Sequence, residues 1–138
     1  MPRAQICVRA EFCAAFRLAI EGADDAENRA AFGVCFSPNY HGHNYLIEVT
    51  IEGEVDRRTG MVADYAVIDK VLQHQVIDPV DHRNLNTDVD FLQGVIPTSE
   101  NLCVAFWPRL QAALPSGLRL LRLRLQESRD HAVIYEGE

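Results

Sequence analysis

The chain lacks several features that would point to particular classes of protein. No run of eighteen apolar residues occurs, which excludes a membrane-spanning helix. No apolar stretch follows Arg3, so a secretory leader is not expected. The four cysteines, Cys7, Cys13, Cys35 and Cys103, contain no C-x-x-C pair and no framework spacing. They read as reduced thiols of a cytoplasmic protein, most of them small core residues. Repeats, low-complexity tracts and Pro/Gly/Ser linkers are missing too, so residues 1–138 read as one domain. Basic charge is scarce: thirteen Lys and Arg stand against twenty Asp and Glu, a net charge of -7, and only Lys70 is a lysine. That balance argues against a nucleic-acid partner, whose binding rests on phosphate neutralisation. It leaves room for a local basic pocket facing a phosphorylated small molecule.

At 48% hydrophobic and 24% charged, the chain has enough apolar material for one core. Residues 4–12 alternate, with Ile6, Val8, Ala10 and Phe12 on one side, and predict a half-buried strand. Residues 44–53 predict a second strand, with Tyr45, Ile47, Val49 and Ile51 inward. Between them, residues 24–32 predict one or two helical turns ended by Gly33. Asp64 is placed to cap a helix carrying Ile68, Val71, Leu72 and Val76, which Pro79 should stop. Thr98 or Ser99 is placed to cap a second helix with Leu102, Phe106, Leu110 and Leu114, which Pro108 should kink or divide. Leu121, Leu123 and Leu125 alternate with Arg122 and Arg124, and a last strand follows at 132–135. The order β-β-α-α-β-β predicts an α+β fold, an antiparallel sheet with two helices on one face.

Four groups of residues have chemical potential. His41 and His43 flank Gly42 and share the parity of Tyr45, so both imidazoles point inward if the strand starts early. Two imidazoles can chelate zinc, but a catalytic zinc normally has three protein ligands; two loop histidines are the plainer reading. Asp81 precedes His82, and a carboxylate beside an imidazole orients it; turn and capping roles suit Asp81 and Asn84 equally. Cys35 is a candidate thiolate base, provided that a cation or imidazole lies beside it, and otherwise a core residue. Glu127 ends the Leu-rich strand, either inward and paired with a ligand that presents N–H groups, or beyond the strand end in water.

In combination these segments are far more specific. Phe12 to Leu18, Cys35, His41-Gly42-His43-Asn44-Tyr45, Gly60-Met61-Val62, Asp81-His82-Arg83-Asn84-Leu85-Asn86, Pro97-Thr98-Ser99-Glu100-Asn101 and Glu127 follow in an order that resembles the 6-pyruvoyltetrahydropterin synthase family. That family includes the 6-carboxytetrahydropterin synthases. Phe32-Gly33-Val34-Cys35 ahead of Pro38-Asn39 is similar to the pyruvoyl type. The resemblance implies the tunnelling (T-) fold, with subunits assembled as trimers or dimers of trimers and active sites between them. It implies a lyase acting on 7,8-dihydroneopterin triphosphate, with Cys35 as general base and Asp81 and His82 completing a proton relay. It implies Glu127 as the pterin anchor, Thr98, Ser99 and Glu100 in the same pocket, and His41 and His43 as two of three zinc ligands.

Two positions depart from that pattern. Phe16 stands where the family has its remaining zinc histidine, and Tyr40 stands where the pyruvoyl type commonly has a small residue. Phe16 and Tyr40 are therefore expected to shape a rebuilt pocket, with the zinc step weakened, absent or replaced. Cys13 has the wrong strand parity to substitute as a ligand unless a bulge intervenes. Two further functions stay open: a zinc-independent member repurposed for cyclisation or isomerisation of another substrate, and a non-catalytic pterin-binding or assembly subunit.

Overall fold

Alternating polarity at the two ends of the chain builds one five-stranded sheet. A computed structural model describes residues 1–138. Strand β1 (Arg3–Phe16) pairs antiparallel with β2 (His41–Glu54) in one unbroken register, from Arg3 opposite Glu54 to Phe16 opposite His41. Both strands are longer than expected, because inward parity persists through Ala14 and Phe16 on β1 and back through His43 and His41 on β2. Strand β3 (Arg83–Asn84) adds two residues parallel to β1, which makes the sheet mixed rather than wholly antiparallel. Strand β4 (Arg119–Ser128) pairs with β2, β5 (His131–Tyr135) pairs with β4, and the spatial order is β3-β1-β2-β4-β5.

The helical segments are α1 (Asp25–Phe32), α2 (Tyr65–Leu72), α3 (Asp78–Val80) and α4 (Ser99–Ala113). Asp24, Asp64 and Thr98 cap α1, α2 and α4, each side chain accepting from a backbone N–H of the first turn. The helical path does not stop at Pro79. A wide π-type turn over Gln73–Ile77 carries it into α3, and where Pro79 has no N–H to offer the Gln75 carbonyl four residues back, Arg109 Nε–H donates to that carbonyl at 2.9 Å. Nor does Pro108 divide α4, which runs unbroken to Ala113. Pro108 and Val104, the residue whose carbonyl loses its amide partner, are both on the exposed face, where water serves as the donor.

The core lies between the inner sheet face and the helices. Val8, Phe12, Ile47, Val49, Ile51, Leu123 and Leu125 meet Ile68, Leu72, Leu102, Phe106 and Leu110. Leu120, not Leu121, continues the inward series of β4, because a bulge opposite Thr50 and Ile51 skips Leu121 and resets the parity. Of the cysteines only Cys103 is a core residue, and burial pushes its thiol up to about 12. Cys7 and Cys13 are exposed because they alternate with the inward residues of β1.

Candidate active site

The inner-face residues at one end of the sheet form a polar cluster. Register puts Phe16 opposite His41, Ala14 opposite His43 and Phe12 opposite Tyr45. Gly42 owes its identity to this pairing. A Cβ there would collide with the Ala14 carbonyl oxygen, so only glycine lets the two strands close. The β4 parity that buries Leu123 and Leu125 also turns Glu127 inward, still inside the strand rather than beyond its end. The β4–β5 register shifts between Gln126 and Ser128, which leaves Glu127 out of that ladder.

Two groups approach the Glu127 carboxylate. Ser99 Oγ–H donates to Oε2 at 2.7 Å, and His43 Nε2 lies 3.3 Å from Oε1. Ser99 is buried in the first turn of α4. Ser99, Glu100 and Glu127 line a cavity of about 320 Å³ with His131, Ala132 and Val133. Thr98 is not among the lining residues; its hydroxyl accepts from the Asn101 N–H at 3.1 Å as the cap of α4.

Cys35 ends a single 3₁₀ turn, Gly33–Cys35, tied down where its carbonyl accepts from the Leu18 N–H at 3.0 Å. The thiol is half-buried, and burial, with the Glu127 carboxylate adding to it, pushes its pKa up. Burial also pushes His41 down, aided by His43 and opposed by Glu127. Tyr45 is fully buried. Its phenol is pushed up, first by burial and then by Glu127 and Cys35, and its hydroxyl has no hydrogen-bond partner.

Asp81 and His82 are elsewhere. Asp81 Oδ1 accepts from the Cys13 N–H at 2.9 Å and lies 3.0 Å from His82 Nδ1. The Cys13 N–H is the main reason that the Asp81 carboxyl is held below its usual range, with His82 contributing. His82 takes a positive φ of 58°, its own N–H donates to the Cys13 carbonyl, and its side chain is 82% exposed. The pair borders Glu11, Cys13 and Asn44, whose parity is opposite to that of Phe12 and Tyr45. A single chain therefore keeps Asp81 and His82 on the outer side of β1, apart from Cys35 and Glu127 on the inner side.

The zinc that the resemblance implies does not fit the residues present. Phe16 is 2% exposed and packs its ring against His41 at 4.4 Å and His43 at 5.6 Å between centroids. A phenyl ring has no lone pair to donate, and it fills the space beside both imidazoles. No three His, Cys, Asp or Glu side chains are grouped to hold a metal ion, and Cys13 faces outward. Tyr40, just before His41, takes a positive φ of 63°, a conformation that costs a side chain of this size about 1–2 kcal/mol. Sequence reasoning missed Tyr45, whose hydroxyl is buried without a partner on the inward face between His43 and Ile47. It also missed Asn86, whose amide clamps Arg17 by accepting from its N–H at 2.8 Å and donating to its carbonyl at 2.9 Å.

Comparison with known proteins agrees with this fold. The family model described as 6-pyruvoyl tetrahydropterin synthase matches residues 5–138. The 6-pyruvoyl tetrahydrobiopterin synthase of Pongo abelii is 41% identical over 99% of this chain and 93% of its own length. The dihydroneopterin monophosphate aldolase of Pyrococcus furiosus is 33% identical over 97% of this chain and 98% of its own. The solved structure of Caenorhabditis elegans 6-pyruvoyl tetrahydropterin synthase superposes with a TM-score of 0.92 at 38% identity, covering 100% of this chain and 98% of the other. The chain belongs to the 6-pyruvoyl tetrahydropterin synthase family, a family of enzymes with the tunnelling fold.

Proposed function

We propose that this protein is a carbon–oxygen lyase acting on a reduced pterin with a triphosphate side chain, of the 7,8-dihydroneopterin triphosphate kind. The placement of Glu127 carries the reading. Its carboxylate is inward, oriented by Ser99 and His43, and borders a cavity. A carboxylate held in this way accepts from two parallel N–H donors, which the amino-pyrimidinone edge of a pterin presents. The ionisation of Cys35 feels Glu127, so a ring anchored there brings its side chain toward the thiol.

Cys35 removes a proton from a side-chain carbon. The electron pair left behind passes into the ring C=N bond, which takes up protons on carbon and nitrogen while the side-chain hydroxyl becomes a ketone. Removal of a second proton, from the next carbon, leaves the pair that expels triphosphate from the terminal carbon, and the resulting enol tautomerises to a ketone. The ring gains the two electrons that the side chain loses, so no outside oxidant is required. A thiol raised by burial is a poor base unless an imidazole helps it ionise. Because His82 is exposed on the outer side, with Asp81 fixing its ring, it serves the Cys35 of a neighbouring copy. This reading makes the protein a cytoplasmic homo-oligomer, a trimer or dimer of trimers.

The test is triphosphate release from 7,8-dihydroneopterin triphosphate, lost in Cys35→Ala. No release from the intact oligomer sinks the reading. Co-assembled Cys35→Ala and His82→Ala chains should regain on the order of a quarter of the native activity, since random pairing restores that share of sites. Phe16 favours one second reading, a proton-transfer reaction without zinc, such as cyclisation or isomerisation of another substrate. Chelator-insensitive turnover of such a substrate, with the triphosphate ester left unconsumed, would select it.

A further inference from the structure

The contact between His43 and Glu127 decides what His43 is for. At 3.3 Å, a bare imidazole nitrogen and a carboxylate oxygen would set lone pair against lone pair. The approach is favourable only with a proton on Nε2, which the neutral Nε2–H tautomer already supplies. A metal-ligating nitrogen has to be bare. With Nε2 turned to Glu127, only Nδ1 of His43 is left for a metal, and Phe16 beside it supplies no donor to complete a metal site.

We propose that His43 is a positioning residue for Glu127, in a site that works without a bound metal. Ser99 holds one carboxylate oxygen from α4, and His43 approaches the other from β2. Two rigid elements thereby fix the plane of the carboxylate. Each oxygen has a second lone pair, so the carboxylate keeps its capacity for two ligand N–H groups. This deepens the reading of Glu127 as a pterin anchor and rests on it.

Two measurements on the full-length oligomer decide the matter. The first is elemental analysis after zinc loading and desalting. The native chain should retain no zinc, and Phe16→His should retain about one ion per chain, since it restores a third imidazole. Stoichiometric zinc in the native chain overturns the proposal. So does a Phe16→His chain that stays metal-free, because Phe16 would then not be what frees His43. The second is binding of 7,8-dihydroneopterin, followed by fluorescence. His43→Ala should weaken it about tenfold, while His43→Gln, which keeps an N–H donor but is a poor metal ligand, should stay within about threefold of native. Equal losses in both variants overturn the positioning role. If His43→Ala does not fold, His43→Leu replaces it as the variant without a donor. If the native chain fails to bind 7,8-dihydroneopterin, the pterin reading falls, while the zinc measurement still decides the metal-free half.

Discussion

The inner cluster and the outer pair treat their ionisable groups in opposite ways. Around Phe16, His41, Tyr45 and Cys35, burial dominates: the thiol and phenol are pushed up and the imidazole of His41 is pushed down. Each is driven toward its neutral form. At the outer pair, the Cys13 N–H dominates and drives Asp81 toward its charged form. The inner side has the Glu127 cavity and a thiol that burial keeps from ionising. The outer side is an oriented carboxylate and imidazole beside a separate cavity of about 270 Å³, bordered by Glu11, Cys13 and Asn44. The proposed relay needs a group from each side, and their separation within one chain is the physical ground for drawing them from different copies.

The comparison breaks most visibly at the thiol. Cys35→Ala should lower triphosphate release by about a thousandfold and leave 7,8-dihydroneopterin affinity unchanged. A matching loss of affinity would make Cys35 a binding residue and not a base. The next effect is structural and confined to the inner side. Gly42→Ala should destabilise the fold by about 1–3 kcal/mol in denaturant titration, because its Cβ meets the Ala14 carbonyl. Native-like stability would mean that the β1–β2 ends are less closely joined.

The outer pair has a pH signature. The Asp81 carboxyl is held below its ordinary 3.8, so its contribution to stability is full above that value and is lost as pH falls through the lowered one. The stability of the native chain relative to Asp81→Asn should therefore be greatest near neutral pH and shrink below about pH 4. A difference that does not vary with pH would assign the effect to shape and not to charge. The smallest effect is expected from Tyr45→Phe. Removing a buried hydroxyl without a partner should leave stability within about 1 kcal/mol of native or raise it. A larger loss would reveal a partner for the phenol.

Much of this was legible residue by residue. Asp64 and Thr98 read as caps and are caps, and inward parity pointed His41, His43 and Glu127 toward one face. Where sequence reading failed, a distant or irregular feature intervened. Pro79 and Pro108 are tolerated because of where they fall, one where Arg109 serves the carbonyl left without an amide and one on a solvent face. Leu121 lost its expected place to a bulge that no periodicity announces. Thr98 was read both as a cap and as a pocket residue, and the observed hydrogen bond belongs to the cap.

The strand parities, the helix starts, the order of motifs that marks the family and an aromatic ring at Phe16 all follow from the chain's own residues. All of these are local, set by side-chain chemistry and by periods of a few residues. It took the folded chain to pack Phe16 against His41, to bring His43 to Glu127, and to set Asp81 and His82 on the far side of β1. Those contacts join segments tens of residues apart, and they depend on strand register and packing across the sheet, which no local pattern encodes.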